Sequence, residues 1–171
     1  SVIHFLNCKS LEIDIRHFHS SACIIISASE SDFWEVNKMM KKRQIGNLEV
    51  SEIGMGCMGF SHGYGQVPDE NYSVNAIRAA HEFGCTFFDT AETYGRELFF
   101  PGHNELLVGK AVEPFRKDIV LATKFHLAPE EYTGRGVLYD VILRHLQASM
   151  KNLRTDWIDL YYLHRVSETI P

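Results

Sequence analysis

The sequence predicts an α/β fold with a parallel sheet, and three observations predict it. Strand-like apolar runs at Cys85 to Phe88, Ile119 to Thr123 and Ile158 to Leu163 are separated by segments with helical periodicity. Each run gives way to an ionisable residue: Asp89, Lys124 and His164. Proline and glycine punctuate the boundaries, at Pro68, Gly84 and Pro114. Parallel strands joined by right-handed helical crossovers bring their C-terminal ends to one side of the sheet. On this reading the three ionisable residues converge there.

Residues 1–38 stand apart as an unassigned N-terminal extension, and 39–171 form the domain. Met39-Met40-Lys41-Lys42-Arg43 makes a natural start, so the extension is expected to be dispensable for folding of the remainder. Cys8, His17, His19 and Cys23 are zinc-ligand types, but they lack a close Cys-x-x-Cys pair and no metal site is assigned. From Arg43 to Ile53, the Gly46-Asn47 pair between alternating runs signals a β-hairpin.

Gly54-Met55-Gly56-Cys57-Met58-Gly59 is literally G-x-G-x-x-G. A Rossmann fingerprint needs its last glycine to open a helix, with an acid about 20 residues on. Neither condition is met, so the stretch reads as a first strand whose glycines let a ligand approach the backbone at its exit. Phe60 to Val67 is then a loop. A helix over 69–83 follows, started by Pro68 and Asp69, with Val74, Ile77, Ala80 and Phe83 on its apolar face and Gly84 as its stop. After the strand ending at Asp89, Asn104 is expected to cap a helix that carries Leu107, Val108 and Ala111 and stops before Pro114. The third helix places Leu138, Val141, Ile142, His145, Leu146, Ser149, Met150 and Leu153 on one face, with His145 read as a packed histidine.

At 45% apolar and 23% charged residues over 171 positions, the composition is that of an ordinary globular domain. A net charge of -5 argues against a nucleic-acid or anionic-membrane partner. The run Ala22 to Ala28 is too short to cross a bilayer, and the chain reads as cytoplasmic. Cys8, Cys23, Cys57 and Cys85 show no paired spacing and read as free thiols.

Tyr94 lies five residues past Asp89, within reach of the same rim. Asp89, Tyr94, Lys124 and His164 at strand exits make a proton-transfer constellation. In this order, with Asp89-Thr90-Ala91-Glu92-Thr93-Tyr94-Gly95, Asn104 to Gly109, Ala122-Thr123-Lys124 and Asp156 to Arg165 around it, the constellation resembles the catalytic tetrad of the aldo-keto reductases.

The resemblance covers about residues 40–171 and implies the N-terminal half of a (β/α)8 TIM barrel: four parallel strands with connecting helices, preceded by a hairpin over the N-terminal mouth. The hairpin loop is shorter than the family's usual one, which leaves its register open. A whole barrel takes about 250 residues, so the chain is expected to be cut halfway, inactive alone and prone to self-association.

The same resemblance implies NADPH-dependent reduction of a small carbonyl substrate. Tyr94 is then the proton donor, Lys124 the cation beside it, Asp89 the partner fixing Lys124, and His164 the group polarising the carbonyl. Unit charges about 4 Å apart at an effective dielectric of about 20 interact by ~4 kcal/mol, the scale on which Lys124 stabilises a developing phenolate. Gly56, Cys57, Met58 and Asp89 are the expected contacts to the nicotinamide end, with the phosphate contacts expected in the missing C-terminal half. Glu92 and Glu97 are candidate gates of the loop. A cofactor-sensing regulatory subunit with this fold is the alternative reading, and a Rossmann-type dehydrogenase the second.

Overall fold

The computed structural model describes residues 40–63, 65–132 and 135–166, so the segment read as an N-terminal extension, with Cys8, His17, His19 and Cys23, lies outside the described residues. The described chain opens with a hairpin, β1 (Lys42–Ile45) and β2 (Leu48–Ser51), paired antiparallel from Lys42↔Ser51 to Ile45↔Leu48. That register leaves a two-residue Gly46-Asn47 loop with Gly46 at φ 61°, a known short hairpin connection with glycine first. The open register is thereby fixed.

Four parallel strands follow: β3 (Met55–Gly56), β4 (Phe87–Asp89), β5 (Val120–Phe125) and β6 (Leu160–Leu163), in chain order across the sheet. Between them lie α1 (Glu70–Glu82), α2 (His103–Val112) and α3 (Arg135–Asn152). The glycine-rich stretch opens no helix: Met58–Phe60 is a single 3-10 turn and α1 begins only at Glu70, which removes the dinucleotide-fingerprint reading. The hairpin meets the opposite end of the sheet from the strand exits. There the Ser51 N–H donates to Thr86 Oγ1 and the Thr86 N–H to Ser51 Oγ, both at 2.8 Å, just before β4 begins.

Helix α1 starts where the sequence places it, with Asp69 Oδ1 accepting the Tyr72 N–H at 2.9 Å. It ends in a Schellman turn: Cys85 N–H to Ala80 O at 3.0 Å and Gly84 N–H to His81 O at 2.8 Å. Helix α2 corrects the sequence reading. Asn104 is inside the helix, not at its cap; Gly102 holds the cap position at φ 84° with no side-chain cap. Glycine is required there twice over, because the backbone is left-handed and a Cβ would lie 2.5 Å from Asn152 Nδ2. The helix stops at Val112, and Pro114 falls in a following 3-10 segment, Glu113–Asp118.

The main core forms where α1 and α2 cover one face of the sheet, with Ile77, Val108, Ala111 and Val112 buried against Phe88 and Leu121. A smaller cluster joins Val141, Leu138 and Ile142 of α3 to Phe125, Leu127 and Tyr161. Cys57 and Cys85 are buried free thiols. Among the described residues no helix is long and apolar enough to cross a membrane.

Candidate active site

Strand register alone puts three of the four tetrad residues, Asp89, Lys124 and His164, on one face. Gly56 pairs with Asp89, Asp89 with Ala122, and Lys124 with Tyr162. Residues two apart share a face of a strand, so Asp89 and Lys124 lie on the same side. The His164 N–H donates to Phe125 O at 2.8 Å, carrying the ladder one residue past β6 and adding His164 to that face. Lys124 is the penultimate residue of β5 and not a post-strand residue, as the sequence suggested, because pairing with β6 runs on to Phe125.

The Lys124 ammonium has three N–H donors and three acceptors. It pairs with Asp89 Oδ1, donates to Thr90 O at 2.7 Å and to the Tyr94 hydroxyl oxygen at 3.1 Å, and lies 4.8 Å from the centre of the Tyr94 ring. Lys124 and Asp89 are both largely screened from solvent. The Tyr94 ring meets the His164 ring edge-on, centroids 5.4 Å apart at 84°.

Tyr94 reaches this position through a tight turn that ends in Gly95. That residue has φ 86°, and a Cβ on it would lie 2.8 Å from Ser61 Cβ. On His164, Nδ1 shares a hydrogen with Thr93 Oγ1 at 3.1 Å. Burial, and then the charges of Lys124, Arg165 and His126, hold the His164 pKa below the usual histidine value. His164 is therefore neutral at neutral pH, with one ring nitrogen engaged by Thr93 and Nε2 left over. The tetrad opens onto a cleft of about 420 Å³ whose wall includes Met58, His62, Tyr94, Arg96, His164 and Arg165.

The β3 exit residues divide. Gly56 is exposed with nothing within 4 Å of a would-be Cβ, and Met58 lines the cleft. Cys57 is set apart from them. Its thiol is fully buried, burial pushes that thiol's pKa up, and its backbone is engaged at both ends: N–H to Asp89 O at 2.8 Å, and C=O from Asn104 Nδ2 at 2.9 Å. Of the two loop glutamates, Glu97 pairs with His62 at 3.2 Å across the cleft mouth and with Arg96 at 3.7 Å. Glu92 turns the other way, into the protein.

Several supporting residues escaped the sequence reading. Asn104 is fully buried, accepting from Thr90 Oγ1 at 2.6 Å and donating to Cys57 O and to Ser61 Oγ at 2.8 Å. Next to it, the fully buried Glu105 accepts from Thr123 Oγ1 at 2.7 Å and from Asn152 Nδ2 at 3.0 Å, and burial raises its pKa. The available signal was two adjacent polar residues directly ahead of the apolar run Leu106-Leu107-Val108. His145 is not simply packed: Nδ1 is 2.8 Å from Glu92 Oε2 and Nε2 is 3.1 Å from Glu131 Oε1. Burial lowers its pKa, but hydrogen bonds and charge from the two carboxylates outweigh this and hold it above the usual value.

The model of the aldo/keto reductase family matches residues 52–171. Probable aldo-keto reductase 1 of Glycine max is 37% identical over 127 residues, covering 72% of this chain and 35% of that protein. Aldo-keto reductase yakc [NADP(+)] of Schizosaccharomyces pombe is 40% identical over 134 residues, covering 75% of this chain and 38% of its own length. The holo form of aldo-keto reductase AKR11C1 from Bacillus halodurans superposes with a TM-score of 0.60 at 35% identity, over 75% of this chain and 41% of that one. The chain thus spans little more than a third of the length of the curated relatives it matches. Its hairpin and four-stranded parallel sheet are the N-terminal half of a TIM barrel, and the chain belongs to the aldo/keto reductase family.

Proposed function

We propose that the whole protein reduces an aldehyde or ketone to an alcohol with NADPH. The observation that carries this reading is the Lys124 ammonium shared among Asp89, the Thr90 carbonyl and the Tyr94 oxygen. Because that oxygen accepts from Lys124, the phenolic proton is free to point into the cleft and be donated to a product oxygen. The ammonium stabilises the phenolate left behind. Asp89 and the Thr90 carbonyl keep Lys124 in place, and Nε2 of the neutral His164 donates to the substrate carbonyl and polarises it.

When bound, NADPH supplies the hydride. The residues that fit its nicotinamide end are Gly56, whose bare backbone leaves open space for a flat ring, Met58 in the cleft wall, and Asp89 beside them. Cys57 contributes by shaping the β3 exit through its two backbone hydrogen bonds. The NADP(+) in the name of the Schizosaccharomyces pombe relative supports this choice of cofactor. Contacts to the cofactor phosphates belong to the remaining half of the barrel, in keeping with the general phosphate site after strands seven and eight.

The test is NADPH fluorescence on addition of the full-length protein, followed by consumption of NADPH with a panel of small aldehydes and ketones. Binding together with consumption is the expected result. Binding with no consumption across the panel replaces the reductase reading with cofactor sensing.

Residues 1–171 as an isolated polypeptide should behave differently. Among the described residues β3 and β6 each pair on one side only, and Trp157, Leu163 and Val166 around β6 are exposed. Unpaired strand edges beside apolar side chains recruit other strands, so this polypeptide is expected to self-associate and to turn over no NADPH. Light scattering that reports a monodisperse monomer, with NADPH bound at micromolar affinity, overturns that expectation.

A further inference from the structure

The Glu92, His145 and Glu131 cluster lies outside the tetrad and joins three separate parts of the fold. Glu92 sits in the β4–α2 loop two residues before Tyr94, His145 on α3, and Glu131 in the β5–α3 loop. Each carboxylate is also tied to the main chain at the exit of β5. Glu92 Oε1 accepts the His126 N–H at 2.6 Å, and Glu131 Oε2 accepts the Ala128 N–H at 3.1 Å. Each histidine nitrogen meets a different carboxylate. Only the imidazolium carries two N–H donors; a neutral ring can serve one carboxylate and leaves the other facing a lone pair.

The segment that bears Tyr94 depends on anchorage at this point. Backbone bonds hold it as far as Glu92, through Thr90 N–H to Ala122 O at 3.0 Å and Glu92 N–H to Lys124 O at 3.1 Å. The Glu92 carbonyl also accepts the Gly102 N–H at 3.0 Å; from Thr93 to Tyr94 the backbone bonds among the described residues are two local turns, Tyr94 N–H to Ala91 O at 3.2 Å and Arg96 N–H to Thr93 O at 3.3 Å, and a long bond from Asn104 N–H to Tyr94 O at 3.4 Å. The Glu92 side chain is the last long-range side-chain tie before the tetrad's own contacts at Thr93 and Tyr94.

We propose that His145 is a positioning residue for the proton donor: by bridging Glu92 and Glu131 it holds residues 90–94, and with them the Tyr94 hydroxyl, against the exit of β5. The part concerning proton donation rests on the reductase reading above, whereas the holding of the segment does not. The groups acting on the cluster are few. Arg144, beside His145 on α3, acts electrostatically on Glu131, His126 follows β5, and Glu105 of α2 and Tyr161 of β6 are within electrostatic reach of Glu92. The Phe125 ring packs 5.9 Å from the His145 ring. Because the folded-state pKa of His145 is raised, the bridge is complete below the ordinary histidine value of about 6.5 and is lost as pH rises through the raised value.

The experiment is amide hydrogen exchange on the full-length protein and its His145→Gln variant, read at Glu92, Thr93 and Tyr94, with Val108 in the core reporting whether the fold is intact. A glutamine can serve one carboxylate and brings no charge. Exchange at the three amides is expected to rise by at least about tenfold, the scale of a lost charge-assisted hydrogen bond, with Val108 unchanged. In the NADPH assay kcat falls while KM for the cofactor stays. Unchanged exchange at 92–94 in a folded variant overturns the proposal, and so does faster exchange with an unaltered kcat.

Should the variant lose protection at Val108, the wild-type protein decides. Its exchange at 92–94, corrected for intrinsic pH dependence, must step up as the His145 ring titrates by NMR, and a flat profile overturns the proposal. A wild type with no turnover sinks the reductase reading alone. The exchange results then still decide whether His145 holds the segment.

Discussion

Tyr94→Phe in the full-length protein is expected to reduce kcat for carbonyl reduction by about 10²- to 10⁴-fold, the range a positioned general acid contributes. Cofactor affinity should be unchanged. The substitution removes one atom, the hydroxyl that accepts from Lys124 Nζ at 3.1 Å, and leaves the ring that packs edge-on to His164. No other described group both faces the cleft and carries a proton held beside the largely screened Lys124 cation, so nothing local replaces it. Lys124→Met should be of the same order, with an added cost to folding because the half-buried Asp89 carboxylate then loses its counter-charge. Turnover of Tyr94→Phe within about tenfold of wild type would remove Tyr94 from the acid role.

The tetrad was legible in the sequence for a specific reason. Asp89, Lys124 and His164 sit at or next to the ends of short apolar runs, the parallel topology that the alternating helices demand gathers those ends together, and Tyr94 follows Asp89 closely enough to reach them. Register then does the rest, since Asp89, Lys124 and His164 fall on one face by the two-residue period of a strand. Boundaries were less legible. β5 extends to Phe125 because β6 offers it partners, and a single strand read in isolation carries no record of its neighbour's length. The hairpin register was fixed only by the closure of the Gly46-Asn47 loop.

What the sequence concealed are contacts between residues far apart in the chain. Glu92 and His145 are 53 positions apart and Glu105 and Asn152 are 47 apart, and neither pair leaves a local pattern. His145 occupies a position on the apolar face of α3, where periodicity alone reads a packed ring, and its two carboxylate partners come from different loops. Asn104 was misread for a related reason. Asparagine ahead of an apolar helical run is a good local cap signal, but here tertiary partners outcompete the helix terminus for its side chain.

That competition makes Asn104 the position where a single substitution should cost the most stability. Asn104→Leu preserves the approximate volume in a fully buried site and deletes every hydrogen bond of the side chain. Ser61 Oγ retains His103 Nδ1 at 2.9 Å and the Cys57 carbonyl retains the Phe60 N–H at 3.2 Å, but the Thr90 hydroxyl loses its hydrogen-bond partner. Thr90 is fully buried, so water cannot readily take over. A buried group left unsatisfied costs about 1–3 kcal/mol and a lost bond to the Cys57 carbonyl about 1 more, so the substitution is expected to lower unfolding free energy by roughly 2–4 kcal/mol. Against a domain stability of about 5–15 kcal/mol that is a large share.

The loss also reaches the site. Cys57 and Thr90 stand at the exits of β3 and β4, and the Thr90 carbonyl is one of the three acceptors that hold Lys124. Residual activity of a folded Asn104→Leu variant should therefore drop along with its stability. Denaturant unfolding of wild type and variant measures the first effect, and NADPH consumption the second. A stability change below about 1 kcal/mol, less than one unsatisfied buried group, would mean that the two strand exits do not depend on this side chain to stay together.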